Sequence, residues 1–140
     1  MEGRNLAALY EQKVRSWARK VRDDARLATA DLSIMKTSPV CGSSLTLDIN
    51  RDGRTITALG YRVRACTLGM ASTALVVDTS IGSTFEEVIA VGALLRSLLV
   101  GKKVAFPEPW RELDMFMAAR SFPSRHGSIM LPFEVLSDAA

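Results

Sequence analysis

Cys41 and Cys66 are the two cysteines of the chain, and His126 is its one histidine. The thiolate is the form of cysteine that attacks electrophiles and binds soft metals, and an imidazole ligates through either ring nitrogen. Two sulfurs with one imidazole suit zinc, or iron with sulfide. The spacing lacks the close-paired cysteines of a zinc ribbon, so this chemistry needs a fold that gathers distant residues. Cys41-Gly42 stands just before a strand-like run, and Cys66 stands just after its return partner, where a helix should begin. A hairpin returns both its ends to one side of a sheet, and His126 lies in a later loop that can close on them. At a helix N-terminus Cys66 meets the positive end of the helix dipole, which favours its thiolate. Gly42 permits a tight bend beside Cys41.

Each of these residues has a plainer reading. A lone cysteine is often a small buried hydrophobe, and a single histidine is more often a surface or hydrogen-bonded residue than a ligand. Ser43, Ser44 and Ser128 read as turn and cap residues. Met70, Met115, Met117 and Met130 read as core filler. Glu112 and Asp114 read as an exposed acid pair in the first turn of a helix. The chain has no glycine-rich phosphate loop and no legible Ser-His-Asp spacing.

The elements that must position the cysteines follow from periodicity. Leu6, Tyr10, Val14, Trp17 and Val21 make one apolar stripe and predict a helix over residues 4–22, with Lys13, Arg15, Arg19, Lys20 and Arg22 on its solvated side. Asp31 to Ile34 reads as a short edge strand, and Thr37-Ser38-Pro39 breaks the chain before Cys41. Leu45, Leu47 and Ile49 alternate with polar residues as a half-buried strand does. Asn50-Arg51-Asp52-Gly53 reads as the hairpin turn. On the return strand Ile56 and Ala58 take one parity and Tyr61, Val63 and Ala65 the other, which predicts a β-bulge near Leu59-Gly60.

Residues 66–80 predict a helix rich in small residues, weakened by Gly69. Ser83 with Glu86 fits a capping box for the next helix, which Gly101 ends. A short helix is expected from about Trp110 to Ala119, and a last one running to about Leu136, with Pro132 near its first turn. This pattern predicts an α+β fold: a small antiparallel β-meander of about three strands, with helices packed mainly on one face.

Bulk properties narrow the function. A chain of 140 residues that is 48% hydrophobic reads as one domain, residues 1–140, with a real core. The net charge of +3 and a pI near 9.1 are weakly basic. No dense basic face interleaved with aromatic residues points to nucleic acid. Two cysteines do not make a disulfide scaffold. The longest apolar run, around Val88 to Val100, carries Arg96 and is too short to span a bilayer. With no signal-peptide pattern at the start, the expectation is a cytoplasmic protein that binds neither nucleic acid nor membrane.

Taken in order, several segments resemble the U-type iron–sulfur cluster assembly scaffolds, the IscU, SufU and NifU N-terminal family. The resemblance covers roughly residues 7–137. Leu9-Tyr10 resembles that family's opening segment, and Pro39-Val40-Cys41-Gly42 its P-x-C-G-D motif. Cys66 with Met70-Ala71-Ser72 resembles its G-C-x-x-x-x-A-S motif, with Ala65 in place of the leading glycine. Gly82 and the Glu-containing helix after it match the next segment. Phe122-Pro123-Ser124-Arg125 followed by Leu131 resembles F-P-A-R-x-x-C-x-x-L.

The resemblance implies a ligand set of three cysteines and one aspartate for a transient iron–sulfur cluster or for zinc. Cys41 and Cys66 fall on the first two cysteines, but Ser43 stands where the aspartate should be and Ser128 where the third cysteine should be. Gly127 occupies a position that is histidine in some members, and His126 lies two before Ser128, placed to substitute for the lost ligand. The leucine-proline-proline-valine-lysine docking motif of the IscU branch is absent.

The resemblance therefore implies a scaffold, not an enzyme. Cys41, Cys66 and His126 would form its reduced ligand set, with Ser43 and Ser128 at the two altered positions. Its cofactor would be an iron–sulfur cluster or zinc, and its partners a cysteine desulfurase and apo iron–sulfur proteins. Two other readings remain open at this point. One is a degenerate, metal-free protein-interaction module. The other is a thiol enzyme using Cys66 with His126 as base.

Overall fold

A computed structural model describes residues 2–140, with side chains from residue 6 onward. Helix α1 (Glu2–Arg19) leads through a coil into a three-stranded antiparallel sheet of β1 (Leu32–Thr37), β2 (Ser44–Asp52) and β3 (Thr55–Arg64) in that order, with β2 central. Helices α2 (Thr67–Thr79) and α3 (Phe85–Leu99) follow, then a 3₁₀ segment over Glu108–Ala119, a short one over Pro123–Arg125, and α4 (His126–Ala139). This is the α+β meander with helices that the alternation pattern predicts.

Leu45, Leu47 and Ile49 of β2 face Val63, Tyr61 and Leu59 of β3, and their inward side joins one continuous apolar core with α2, α3 and α4. Helix α2 is the central helix. Its residues from Ala71 to Val76 are all buried, which accounts for the run of small and apolar side chains there. The 3₁₀ segment buries Trp110, Leu113, Phe116 and Ala119 at intervals of three. That period matches three residues per turn, a tighter coil than the α-helix expected over these residues.

Three local expectations shift. The β-bulge lies opposite Asn50 and Arg51, where Asn50 pairs with Ala58 and Arg51 with Ile56, leaving Thr57 as the extra residue. The parity change on β3 is therefore real but sits two residues before Leu59-Gly60. The capping box is formed by Thr84 and Glu87, one residue beyond Ser83 and Glu86. Pro132 is the seventh residue of α4, not in its first turn. Lacking an N–H, it leaves the Ser128 carbonyl without its usual donor.

Gly60 serves a different purpose from the expected bulge. A Cβ there would lie 2.5 Å from the Leu27 nitrogen and 2.8 Å from the Ala25 oxygen. The coil after α1 pairs with the free edge of β3 through two Ala25–Tyr61 hydrogen bonds. It then crosses the sheet's outer face over Gly60. Asp48, the cross-strand partner of Gly60, clamps it there. Its buried carboxylate accepts from Arg26 Nε (2.7 Å) and Nη2 (2.9 Å), from the Leu27 N–H (3.0 Å) and from Ser33 Oγ (2.6 Å).

The Arg26 guanidinium, helped by Ser33 and the Leu27 N–H against the opposing effect of burial, holds the Asp48 carboxyl well below the usual carboxylate range. A depressed folded-state pKa contributes stability that is complete above the unfolded value of 3.8 and is lost as pH falls through the folded value. Asp48→Asn is expected to cost about 2 kcal/mol at neutral pH. The deficit against wild type should shrink in denaturant titrations below about pH 4; a deficit independent of pH would refute this assignment.

Candidate functional site

The sheet register places the two cysteines at one end of the sheet. Thr37 pairs with Ser44 and Ser44 with Arg64, so the β1–β2 connection and the end of β3 emerge side by side. Residues 38–43 form that connection. The Gly42 N–H donates to the Ser38 carbonyl (2.9 Å) and the Ser38 N–H to the Ser43 carbonyl (2.8 Å). Gly42 has φ +70, in the left-handed region that favours glycine. This closed turn presents Cys41. Cys66 is the N-cap residue of α2, as the sequence predicts.

Five side chains meet here. Cys41 Sγ lies 3.2 Å from Ser43 Oγ and 3.4 Å from Ser38 Oγ. Ser43 Oγ lies 3.1 Å from Ser128 Oγ, and Ser128 Oγ 3.6 Å from Cys66 Sγ. The two cysteines are half-buried, while Ser43 and Ser128 are 3% and 1% exposed. The hydroxyls thus form a floor and the sulfurs stand above it, toward solvent. Ser43 and Ser128 are more than turn and cap residues: they link the cysteine sites.

The helices are shaped for this meeting. A Cβ at Gly69 of α2 would lie 2.0 Å from Ser128 Oγ, so that glycine admits the start of α4. Ser72 Oγ donates to the Ile129 carbonyl at 2.6 Å and fixes α4 against α2. The sequence marks Gly69 as a weak helix residue that allows close packing, and Ser38 only as part of the break before Cys41. The one available signal for Ser38 was its place three residues before a cysteine in a turn.

Both thiols are biased toward thiolate. The Ser38 and Ser43 hydroxyls lower the Cys41 pKa to about 7. Partial burial pushes the Cys66 thiol up, but the Gly69 N–H, the Ser128 hydroxyl, the Arg125 guanidinium and the Leu68 N–H outweigh it, and the net shift is downward. Cys66, Thr67, Leu68, Phe122 and Arg125 line an open hollow of about 320 Å³. Arg125 is its only charged side chain.

His126 does not join this group. Its Nε2 lies 2.8 Å from the Ala119 carbonyl oxygen, and the ring lines a separate hollow with Arg96, Leu99, Val100, Gly127, Met130 and Glu134. As the first residue of α4, it is held by the preceding 3₁₀ segment, away from the thiols. Among the described residues no three His, Cys, Asp or Glu side chains gather as a metal site. Of the five expected residues, the structure brings Cys41, Cys66, Ser43 and Ser128 together and leaves His126 apart. Two thiols with two protonated hydroxyls fit a metal ion or cluster poorly, because two of the four ligand positions carry a weak donor.

The fold is that of known proteins. It matches the crystal structure of the N-terminal part of a nitrogen-fixing NifU-like protein from Brucella abortus, with TM-score 0.83 and 25% identity, covering 90% of this chain and 88% of that one. It also matches a putative iron–sulfur cluster assembly scaffold protein for the SUF system from Fervidobacterium islandicum, with TM-score 0.80 and 19% identity, covering 90% and 92%. In sequence, 107 residues are 22% identical to the iron–sulfur cluster assembly scaffold protein IscU of Streptococcus pyogenes serotype M1, 76% of this chain and 67% of that protein. No protein-family model matches the chain.

The shared fold is the α+β arrangement of a three-stranded meander with packed helices. The chain is similar in sequence and in fold to U-type iron–sulfur cluster assembly scaffolds. Among the described residues no helix is long and apolar enough to cross a membrane.

Proposed function

We propose that this protein is an iron–sulfur assembly scaffold that takes up iron and sulfide, or zinc, as transient cargo on Cys41 and Cys66. The observation that carries this reading is the convergence of four residues, 41, 43, 66 and 128, on one pocket. These are the positions that the family resemblance assigns to the cargo ligands. Environments that favour thiolate on both cysteines support it further. A cysteine desulfurase is the fitting sulfur source and apo iron–sulfur proteins the fitting acceptors. With two anionic ligands in place of four, cargo is held loosely, which suits a donor.

The serines at positions 43 and 128 favour one competing reading, a metal-free interaction module that keeps the fold without the chemistry. Anaerobic reconstitution with ferric iron, sulfide and a thiol reductant separates the two. The expected result is visible charge-transfer absorption in wild type, abolished by Cys41→Ala and by Cys66→Ala and unaffected by His126→Ala, with far-UV circular dichroism unchanged in all three. Wild type with no chromophore and no bound iron would favour the metal-free module instead.

A further inference from the structure

Helix α1 ends in a stripe of like charge. Arg15, Arg19 and Arg22 follow one another at one-turn intervals, and all three are exposed. With Ala18 they form one wall of an open hollow of about 240 Å³, and Thr67 and Met70 of α2 form the other. No carboxylate lines it. Elsewhere most surface cations are neutralised in place, Lys13 by Glu112, Arg54 by Glu86 and Arg64 by Asp24. Glu11 pairs with Arg15 from the turn before. Among the described residues Arg19 and Arg22 have no acidic partner.

Folding does not account for this stripe. Like charges four residues apart on a helix oppose its formation, and Arg15 and Arg19 are such a pair. The helix dipole favours a cation in the last turn, which explains Arg19. Arg22 lies beyond the end of the helix and gains from neither the dipole nor an ion pair. The plainer reading, a merely solvated face, leaves that residue and the bare hollow beside it without a reason.

We propose that the stripe is a docking face for a partner protein that presents an acidic helix, with carboxylates one turn apart and an apolar residue set on Met70. Two helices lying side by side match charge for charge when each carries its charges at every turn, about 6 Å apart along the axis. Met70 is half-buried between the arginines and α2 and supplies the apolar contact. A nucleic acid fits less well. Asp23 and Asp24 follow Arg22 directly and line the adjoining hollow with it, where they would repel a phosphate backbone running on past the stripe. An acidic helix can end before them. No aromatic side chain lines either hollow to stack a base. Thr67 also lines the hollow beside Cys66, so a partner seated on the stripe borders the thiol pocket. The docking rests on charge and spacing, whatever the thiols carry.

The probe is a fluorescently labelled, alanine-based helical peptide with glutamates along one face at four- and three-residue spacing and a leucine among them. A second peptide of the same composition spreads its glutamates around the helix. Both are titrated with the full-length chain and read by anisotropy at low and at physiological salt. The one-face peptide should bind more tightly than the other, and salt should weaken it. Arg19→Glu with Arg22→Glu should weaken binding by about tenfold or more. Arg19→Gln with Arg22→Gln, which removes the charges without reversing them, should fall between that variant and wild type. Lys102→Glu with Lys103→Glu makes the same change in net charge on exposed residues that line neither hollow, and should leave binding unchanged. Each variant is checked for a native far-UV spectrum. Equal binding of the two peptides overturns the proposal, as do equal losses in the arginine and lysine variants. No binding of the one-face peptide at low salt overturns it too. Duplex DNA bound more tightly than the peptide, and released by the arginine variants, would make the stripe a phosphate-binding surface instead.

Discussion

Gly60→Ala is expected to destabilise the protein by about 3 kcal/mol, a drop of roughly 10 °C in melting temperature for a chain of this size. The added methyl group meets main chain, not a side chain that can swing aside. Its neighbours are the Leu27 nitrogen, the Ala25 oxygen and the Arg26 carbonyl carbon at 2.5, 2.8 and 3.0 Å. The crossing coil must lift, and with it go the Ala25–Tyr61 hydrogen bonds and the Asp48 clamp on Arg26 and Leu27. Because Gly60 and Asp48 hold the same segment, the double variant Gly60→Ala with Asp48→Asn should fall short of the sum of the two single losses. Thermal melts of the three variants measure this. A melting temperature for Gly60→Ala within about 2 °C of wild type would show that the coil does not depend on the close approach.

Restoring the two absent ligands is expected to change metal binding even more. In the variant Ser43→Asp with Ser128→Cys, a carboxylate and a thiolate replace the hydroxyls that now link Cys41 to Cys66. Two unit charges about 4 Å apart interact by about 4 kcal/mol at an effective dielectric of 20. A tenfold gain in zinc affinity per restored ligand, about 1.4 kcal/mol each, is therefore a conservative expectation, on the order of 100-fold in total. The expected stoichiometry is one zinc per chain. Without metal the same variant should be less stable than wild type, because an aspartate at position 43 is buried beside a thiolate with no cation to pair with. Zinc should reverse that loss. Calorimetric zinc titration and melts with and without zinc test both halves. An affinity equal to wild type would mean that positions 43 and 128 do not face the cargo.

The strands and helices were legible because their periods are strong: alternation through Leu45, Leu47 and Ile49, and the small-residue helix after Cys66. The pairing of the Cys41 and Cys66 sites was legible because a hairpin has only one way to return. The place of His126 was not. Whether the first residue of a helix faces inward depends on how the preceding segment arrives, and a twelve-residue 3₁₀ stretch rotates differently from an α-helix of the same length. The burial of Trp110, Leu113, Phe116 and Ala119 every third residue was present in the sequence as a period of three. The outer-face coil was illegible because it rests on one glycine and one aspartate, each of which reads locally as an ordinary strand residue.

The Ser72–Ile129 hydrogen bond and the fit of Ser128 against Gly69 lock two helices back to back, and Cys66 caps one of them. Cys41 hangs from a six-residue turn whose fold depends on one left-handed glycine. One sulfur is thus an anvil and the other a jaw. The spacing of the two sulfurs is therefore set by the turn, against a helical layer whose own packing is fixed independently of it.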